Sequence, residues 1–493
     1  MAGLAVREQL RDHYWINKDP IREERLLWRA QTFRHLLHLL PGQSILELGC
    51  GQGLFTRKLR QVTRGENPIT ALTFVDAAPA PQEGHDGVDL ISAAKGTAPL
   101  AGRAFDFVVA IGLLDKANCT WVLQYAYQHL KQGGQVVFYE SNPWNPFIKV
   151  NALLSKAFPW KDERKLFHRA QLSALIVEAG FGQALCAFHD FTYAPMAANG
   201  SWLLQHLSIL LENMPVVQKL AGFILVHAQK GVSVPYTPPA SLAEHALLRQ
   251  AISVVVPCHN EEMNLEPLVT RLVALYGEYL HEIVLVDDNS QDRTREVITA
   301  LATRYPLIHP VFRQPPNGVG RAIRDGYRAA SGRYILSMDC DFQHLLPELR
   351  DVFDRAAEGY DVVIGSRFSR YSILLNYPFQ KIVANRAFHF LARLMLGNKF
   401  RDVTNNLKLF KREVVENLEL TQPGFAVNAE TGLLPLLQGY SIKEVPVSWI
   451  NRTAEMGISS FKLAQVGGGY WQVLYRLWRK KVFASTPREF RSA

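Results

Sequence analysis

The chain has 493 residues, of which 48% are apolar and 20% charged, and its formal charge is +9. That length exceeds one ordinary core, and that apolar share excludes a disordered chain. The basic balance favours anionic partners without saying which. Five scattered cysteines, Cys50, Cys119, Cys186, Cys258 and Cys340, lack metal-finger spacing, and their odd number argues against a secreted disulfide framework.

The opening MAGLAVREQLRDHYW places charges where a signal peptide needs its apolar core. No stretch runs long enough without charge to span a bilayer; the nearest, Ser201 to Ala228, contains Glu212 and Lys219. The expected location is cytoplasmic, peripheral on the cytoplasmic face wherever the chain meets a membrane.

In chain order, SILELGC, TALTFVD, FDFVVAI and QVVFYES read as strands between helical patterns, with QALCAFHDF and GFILVHAQK as closing strands. This alternation predicts an α/β domain with a mostly parallel sheet covered on both faces. The stretch GVSVPYTPPASLAEHALLRQ, with three prolines close together, suits an extended connector. A second alternating series runs through ISVVVPCHN, EIVLVDDNS, RYILSMDCD and DVVIGSRF. The predicted organisation is a first domain over 1–235, a linker over 236–250, a second domain over 251–469 and a basic segment over 470–493.

The run Glu47-Leu48-Gly49-Cys50-Gly51-Gln52-Gly53 follows a strand and precedes a helical pattern, so its glycines let the backbone approach a ligand. A dinucleotide fingerprint needs a third glycine where Leu54 stands, which disfavours a nicotinamide or flavin enzyme. Asp76 ends the next strand, at the distance where an acid binds ribose hydroxyls. With these features the first half resembles the class I S-adenosylmethionine-dependent methyltransferases, from about Leu36 to Lys230. The resemblance implies a Rossmann-like sheet, S-adenosyl-L-methionine held by Glu47, Gly49, Gly51, Gly53 and Asp76, and Glu140 and Asn142 near the substrate side. One departure is Lys95 before Gly96-Thr97, where many members carry an acid; a scaffold that has lost catalysis is the other reading.

In the second half, Asp339-Cys340-Asp341 follows YILSM, so two carboxylates emerge on one side of a strand end. Such a pair suits a hard divalent cation whose other ligands are phosphate oxygens and water. Around it stand Pro257-Cys258-His259-Asn260-Glu261-Glu262, VDDNSQDRT with Asp288, NGVGRAIRDG with Arg321, Gln343 and Arg367 in GSRF. In that order they resemble the family 2 glycosyltransferases of GT-A fold, over nearly all of Ala251 to Leu463. DFQHLLPEL, RDVTNNLKLF and EVPVSWINR before GISSFKL are similar to the branch of dolichyl-phosphate mannose synthases and polyprenyl-phosphate glycosyltransferases.

The resemblance implies Mg2+ or Mn2+ on Asp339, Asp341 and Gln343, and a nucleoside-diphosphate sugar at Pro257, Asn260, Glu261, Asp288, Arg321, Asp339 and Arg367. Arg386 and Arg452 would engage phosphate of the donor or of a lipid-phosphate acceptor, and Asp402 would be a base or a positioning group. Asn405-Asn406-Leu407 replaces the family's Ser-Gly-Phe, and His259 replaces an aromatic residue. The expected chemistry is inverting transfer to a polyprenyl phosphate or related glycan, fused to a methyltransferase. The alternative is transfer to a polysaccharide hydroxyl, which needs a base, with Asp402 or Glu430 in that role. Nucleic acid is not an expected partner, because no recognised motif accompanies the charge.

Near the chain's end, Trp471, Leu474, Tyr475, Trp478 and Val482 fall at helical spacing, while Arg476, Arg479 and Lys480 point elsewhere. Such a helix suits an anionic bilayer surface or the protein's own core. NYPFQKIVANRAFHFLARLML is a second candidate of this kind.

Overall fold

The computed structural model describes residues 2–76, 87–93, 100–148, 166–192, 207–239, 241–375, 377–450 and 463–483. The chain divides into two compact units, Met1–Pro239 and Ala240–Ala493.

Unit 1 opens with helices α1 (Ala2–Lys18) and α2 (Arg22–Leu36). There follow β1 (Ile45–Leu48), α3 (Leu54–Val62), β2 (Ile69–Thr73), β3 (Val88–Ser92), β4 (Phe105–Ile111), α4 (Cys119–Gln128) and β5 (Leu130–Ser141). The unit closes with α5 (Arg169–Glu178), β6 (Gly182–His189) and β7 (Phe223–Gln229). The sheet order is β3-β2-β1-β4-β5-β7-β6, with β7 antiparallel to both of its neighbours. β1 and β4 are apolar on both faces, as strands covered by helices on either side must be. Only Glu47 breaks the apolar run of β1, and the hydroxyl of Thr56 donates to its carboxylate at 2.6 Å.

Unit 2 contains β8 (Ile252–Cys258), α6 (Leu265–Tyr276), β9 (Leu280–Asp287), α7 (Thr294–Arg304), β10 (Ile308–Phe312), α8 (Val319–Ala329) and β11 (Tyr334–Ser337). Next come α9 (Leu349–Ala357), β12 (Val362–Ser366), β13 (Ile373–Leu375), α10 (Phe379–Leu396), β14 (Lys408–Lys411) and α11 (Arg412–Glu416). Last are α12 (Val427–Leu437), β15 (Ile442–Pro446), β16 (Ser448–Ile450) and α13 (Leu463–Phe483). The main sheet runs β10-β9-β8-β11-β14-β12-β15; β14 lies antiparallel between β11 and β12, while β13 and β16 form a separate parallel pair. The second half of the proline-rich connector is bonded into this unit: Leu242 donates to the Leu275 carbonyl at 3.0 Å, and His245 pairs with Asp354 at 2.8 Å.

The two sheets are mixed α/β, the first Rossmann-like and the second of GT-A type, in the order expected. The strands read from the sequence leave out β3, β10 and the four short strands β13 to β16. β3 and β10 are edge strands whose residues are largely half-exposed, so neither carries the long apolar run that marks a central strand.

Candidate functional sites

In unit 2 the carboxyl ends of β8, β9, β11 and β12 meet at one edge of the sheet, and the reversed strand β14 brings its amino end there as well. Chain reversal therefore sets the residues just before β14 beside those just after β11 and β12. Asp339, two residues past β11, accepts a hydrogen bond from Asn406 Nδ2 at 2.8 Å, and the other end of that amide accepts from Ser337 Oγ at 2.8 Å. Asp341 is buried. Burial first, and then the neighbouring Asp341, push the Asp339 carboxyl up to about 7. Two carboxylates crowded at one strand end, one of them with raised proton affinity, are what a divalent cation would relieve, so the donor set fits a hard metal. The backbone of Gln343 lies in the helical turn Phe342–Glu348 that follows; its side chain, and all of Arg452, lie outside the described residues.

Beyond β12, Arg367 donates to Asp402 through Nε at 2.7 Å, Nη2 at 2.9 Å and its backbone N–H at 2.9 Å. Asp402 is fully buried. Burial alone would raise its carboxyl, but the charge and hydrogen bonds of Arg367 overcome this and hold it far below the carboxylate range. A group so committed makes a poor proton acceptor. Of the two roles expected for Asp402, the geometry fits positioning and not the base. Glu430, the other base the hydroxyl reading needs, is equally engaged: it accepts from Thr421 Oγ1 at 2.7 Å and from the N–H groups of Thr421 and Gln422, and pairs with Arg476.

Arg386 stands 3.9 Å over the Phe368 ring and also bonds the Arg401 carbonyl. Burial lowers its guanidinium to about 10. His389 ties its own helix α10 to the same loop. Nδ1 faces the Asn385 carbonyl at 2.7 Å and Nε2 accepts the Val403 N–H at 3.0 Å, which fixes the neutral Nδ1–H tautomer. Lys408 is buried with its ammonium on the Asn405 carbonyl, the Asn428 carbonyl at 3.0 Å and Thr431 Oγ1 at 3.0 Å. Burial drops it to about 7.

On the β8–β9 side, Asn260 adopts a left-handed φ of 58°, which its short polar side chain tolerates. Its Oδ1 accepts from Gln291 N at 2.8 Å and its N–H donates to Ser290 Oγ at 3.0 Å, stapling one loop to the other. Glu261 takes Asn264 Nδ2 at 2.6 Å, and Pro257 is half-buried one residue before the end of β8. Asp288 is buried; it pairs with Arg313 and accepts Gly318 N–H at 2.6 Å, so it shapes the turn that starts α8. Arg321, in the first turn of α8, donates to the Asn317 carbonyl at 2.8 Å. Glu244, His245 and Asp354 also converge within 4.8 Å, but Arg350 holds Glu244, and His245 and Asp354 hold each other.

Helix α13 lies on this unit's own core. Val473, Leu474 and Leu477 are buried, Arg476 reaches Glu430, and Lys480 pairs with Glu419 at 2.9 Å. Its other face exposes Trp471, Tyr475, Val482 and Phe483, and α10, packed beside it, exposes Val383, Phe390 and Leu394. Among the described residues no helix is long and apolar enough to cross a membrane.

In unit 1 the loop after β1 carries Gly49, Gly51 and Gly53 at φ of 71°, 57° and 72°, a left-handed run that only glycine adopts without strain. Its expected partner Asp76 is exposed just past β2. Glu47 is buried, and burial pushes its carboxyl up to about 7. Glu140 accepts the N–H groups of Leu113 and Leu114 at 3.0 and 2.9 Å, and Asn142 donates to the Lys219 and Ala221 carbonyls, so both support loops at the carboxyl edge. Lys95, Gly96 and Thr97 lie outside the described residues.

What covers the glycine loop comes from a distant part of the chain, outside any local motif. Helix α1 lays Arg7, Glu8, Arg11 and Asp12 against it, all buried. Glu8 accepts the Gly51 N–H and, at 2.8 Å, the Phe74 N–H; Asp12 accepts Gln52 N–H at 2.7 Å. Arg11 donates to the carbonyls of Gly49 at 2.8 Å and Ile111 at 2.9 Å, and Arg7 to those of Gly112 at 2.6 Å and Leu114 at 3.1 Å. A Cβ on Gly51 would collide with the Asp12 carboxylate. The space that the glycines leave free is thus filled by the chain itself.

Residues 253–419 match the family model "Glycosyl transferase family 2", and residues 22–182 match a model for a "Methyltransferase domain". The chain is similar to dolichol-phosphate mannosyltransferase of Pyrococcus furiosus, 31% identical over 229 residues. That match spans 46% of this chain and 63% of that protein, less than two thirds of its length. It is also similar to polyprenol monophosphomannose synthase of Mycolicibacterium smegmatis, 28% identical over 231 residues, 45% of this chain and 86% of that protein. Among solved structures, glucosyl-3-phosphoglycerate synthase of Mycobacterium tuberculosis with Mn2+ and UDP-glucose aligns at 21% identity over 49% of this chain and 83% of that one, with a TM-score of 0.36.

Proposed function

From a chain that joins a methyltransferase domain to a family 2 glycosyl transferase domain, we propose a bifunctional transferase that builds a lipid-linked or related glycan. Unit 2 would move a sugar from a nucleoside diphosphate, with inversion, to a polyprenyl phosphate. Unit 1 would methylate the same glycan or lipid with S-adenosyl-L-methionine.

The observation that carries the choice of acceptor is the engagement of Asp402 and Glu430 in buried ion pairs. A sugar hydroxyl must lose a proton to attack, and neither carboxylate offers a free site for it. A phosphate, with a second pKa of about 6, is already anionic near neutral pH and needs no protein base. The relatives, a dolichol-phosphate mannosyltransferase and a polyprenol monophosphomannose synthase, support the same acceptor class.

A magnesium or manganese ion on Asp339 and Asp341, with Gln343 nearby, would supply charge neutralisation for the diphosphate leaving group. The chain's own residues do the rest. Asn406 fixes the rotamer of Asp339. Asp402 holds Arg367 rigid, and Arg367, Arg386 and Arg452 present positive charge to the donor and acceptor phosphates. Pro257, Asn260, Glu261, Asp288 and Arg321 frame the nucleotide side. The exposed apolar faces of α10 and α13, with Arg393 and Arg479 on the same helices, would rest on an anionic bilayer on the cytoplasmic side.

The test is transfer of labelled sugar from each common nucleotide sugar to a short polyprenyl phosphate, with and without chelator. Wild-type protein should need Mg2+ or Mn2+, and Asp341→Ala should lose activity by about a hundredfold or more, the scale of removing one preorganised electrostatic partner. Full activity of that variant in chelator, or use of a sugar hydroxyl alone, refutes the assignment.

A further inference from the structure

Five backbone polar groups at and around the glycine loop are bonded to side chains of α1. The amides of Gly51, Gln52 and Phe74 donate to Glu8 and Asp12, and the carbonyls of Gly49 and Ile111 accept from Arg11. Glu8, Arg11 and Asp12 stand at i, i+3 and i+4 on one face of α1, so a single helical turn delivers all three. Four charged side chains leave water here: Arg11 pairs with Asp12 at 2.9 Å and Arg7 with Asp115 at 3.2 Å, and all four also bind main-chain atoms of the loops. The arrangement matches a particular ligand. A guanidinium on two carbonyls beside a carboxylate on an amide presents the loop with a cation and an anion side by side. The amino-acid end of S-adenosyl-L-methionine carries the same pair, an ammonium next to a carboxylate.

We propose that α1 is a built-in occupant of the methyl-donor cradle, a zwitterionic stand-in that must leave before the cofactor binds. The proposal rests on the reading of unit 1 as a cofactor-binding methyltransferase domain and adds how that site is regulated. With α1 seated, the Gly51 and Gln52 amides are taken by its carboxylates and the space at Gly51 is filled by Asp12, so binding and seating exclude one another. Apparent affinity is then the intrinsic affinity multiplied by the fraction of molecules with α1 released. Any partner that pulls on residues 2–18 would switch the domain on. In the wild-type chain at rest the domain is off.

The test uses the full-length protein. Calorimetry with S-adenosyl-L-methionine and its demethylated product is run on wild type, on Asp12→Ala and on Glu8→Gln/Asp12→Asn; the second variant keeps side-chain shape in case the first packs poorly. Hydrogen exchange of residues 2–18 is followed with and without ligand. The expected result is at least tenfold tighter binding by either variant than by wild type, together with faster exchange in α1 when ligand is added to wild type. Equal or weaker binding by both variants, or α1 protection that ligand leaves unchanged or increases, overturns the occupant while the cofactor-binding reading stands. No binding by wild type or by either variant overturns both, and Asp76→Ala, expected to abolish binding by the released variants, checks that the heat comes from this cradle.

Discussion

At the scale of single residues, the second site is a lesson in how charged groups can serve chemistry without touching a proton. Asp402→Asn should weaken the anchor on Arg367 and cost about 3 kcal/mol of stability, the low end for removing one partner of a buried pair. Transfer should fall, yet the shape of its pH–rate profile should stay as in wild type; loss of a limb from that profile would restore the base. Lys408→Met should cost about 2–3 kcal/mol in denaturant unfolding, because two carbonyls and a hydroxyl lose their donor inside the core. The acidic pair was legible from sequence, since alternation along one strand places both carboxylates together. Asn406 was visible only as a departure from a family pattern. Its role depends on a contact across 67 positions, and local spacing carries no record of such distances. The residues of α1 were illegible for the same reason: Glu8 and Gly51 are 43 positions apart.

At the scale of elements, the carboxy-terminal helix has two faces and both readings of it find a place. Arg476 and Lys480 belong to intramolecular pairs, so reversing their charge would disturb the fold before it tested any lipid. The informative substitutions are on the outer face. Trp471→Ser with Phe390→Ser should release protein from anionic vesicles in a flotation assay and depress transfer to long-chain acceptors, while transfer to a short soluble acceptor survives. Helix α10 also carries a pH dependence. His389 in unit 2 and His227 in unit 1 are each lowered by burial to about 4, against about 6.5 unfolded. Their contribution is therefore complete above pH 6.5 and lost as pH falls toward 4, by up to about 3 kcal/mol for each. Acid titration of thermal stability should show this decline, and His389→Gln, which keeps an acceptor for Val403 N–H, should flatten the part that belongs to unit 2. Strands buried on both faces, such as β1, β4 and β8, stand out as apolar runs; β14 escaped because four residues with a lysine at either end resemble a turn as much as a central strand.

At the scale of the whole molecule, each unit has its own sheet and its own apolar core, one built around Leu48, Val108 and Phe138 and the other around Val255, Ile335 and Phe410. A fragment over 240–493 should therefore unfold cooperatively and keep any Mn2+-dependent rise in melting temperature, measured by calorimetric scanning. The reversed strand sets a condition on how such a fragment comes into being. Until residues 408–411 leave the ribosome, β11 has no neighbour on one flank and β12 has none on that side either. A nascent chain that lacks this strand thus displays a bare, apolar ladder of unpaired amides, the kind of edge on which chains aggregate. The half-built sheet waits for a segment of four residues. Chains truncated at residue 400 should collect in the insoluble fraction, whereas chains that run on through α13 should escape it. Synthesis that pauses between Leu396 and Lys411 would hold the polypeptide at its most adhesive moment.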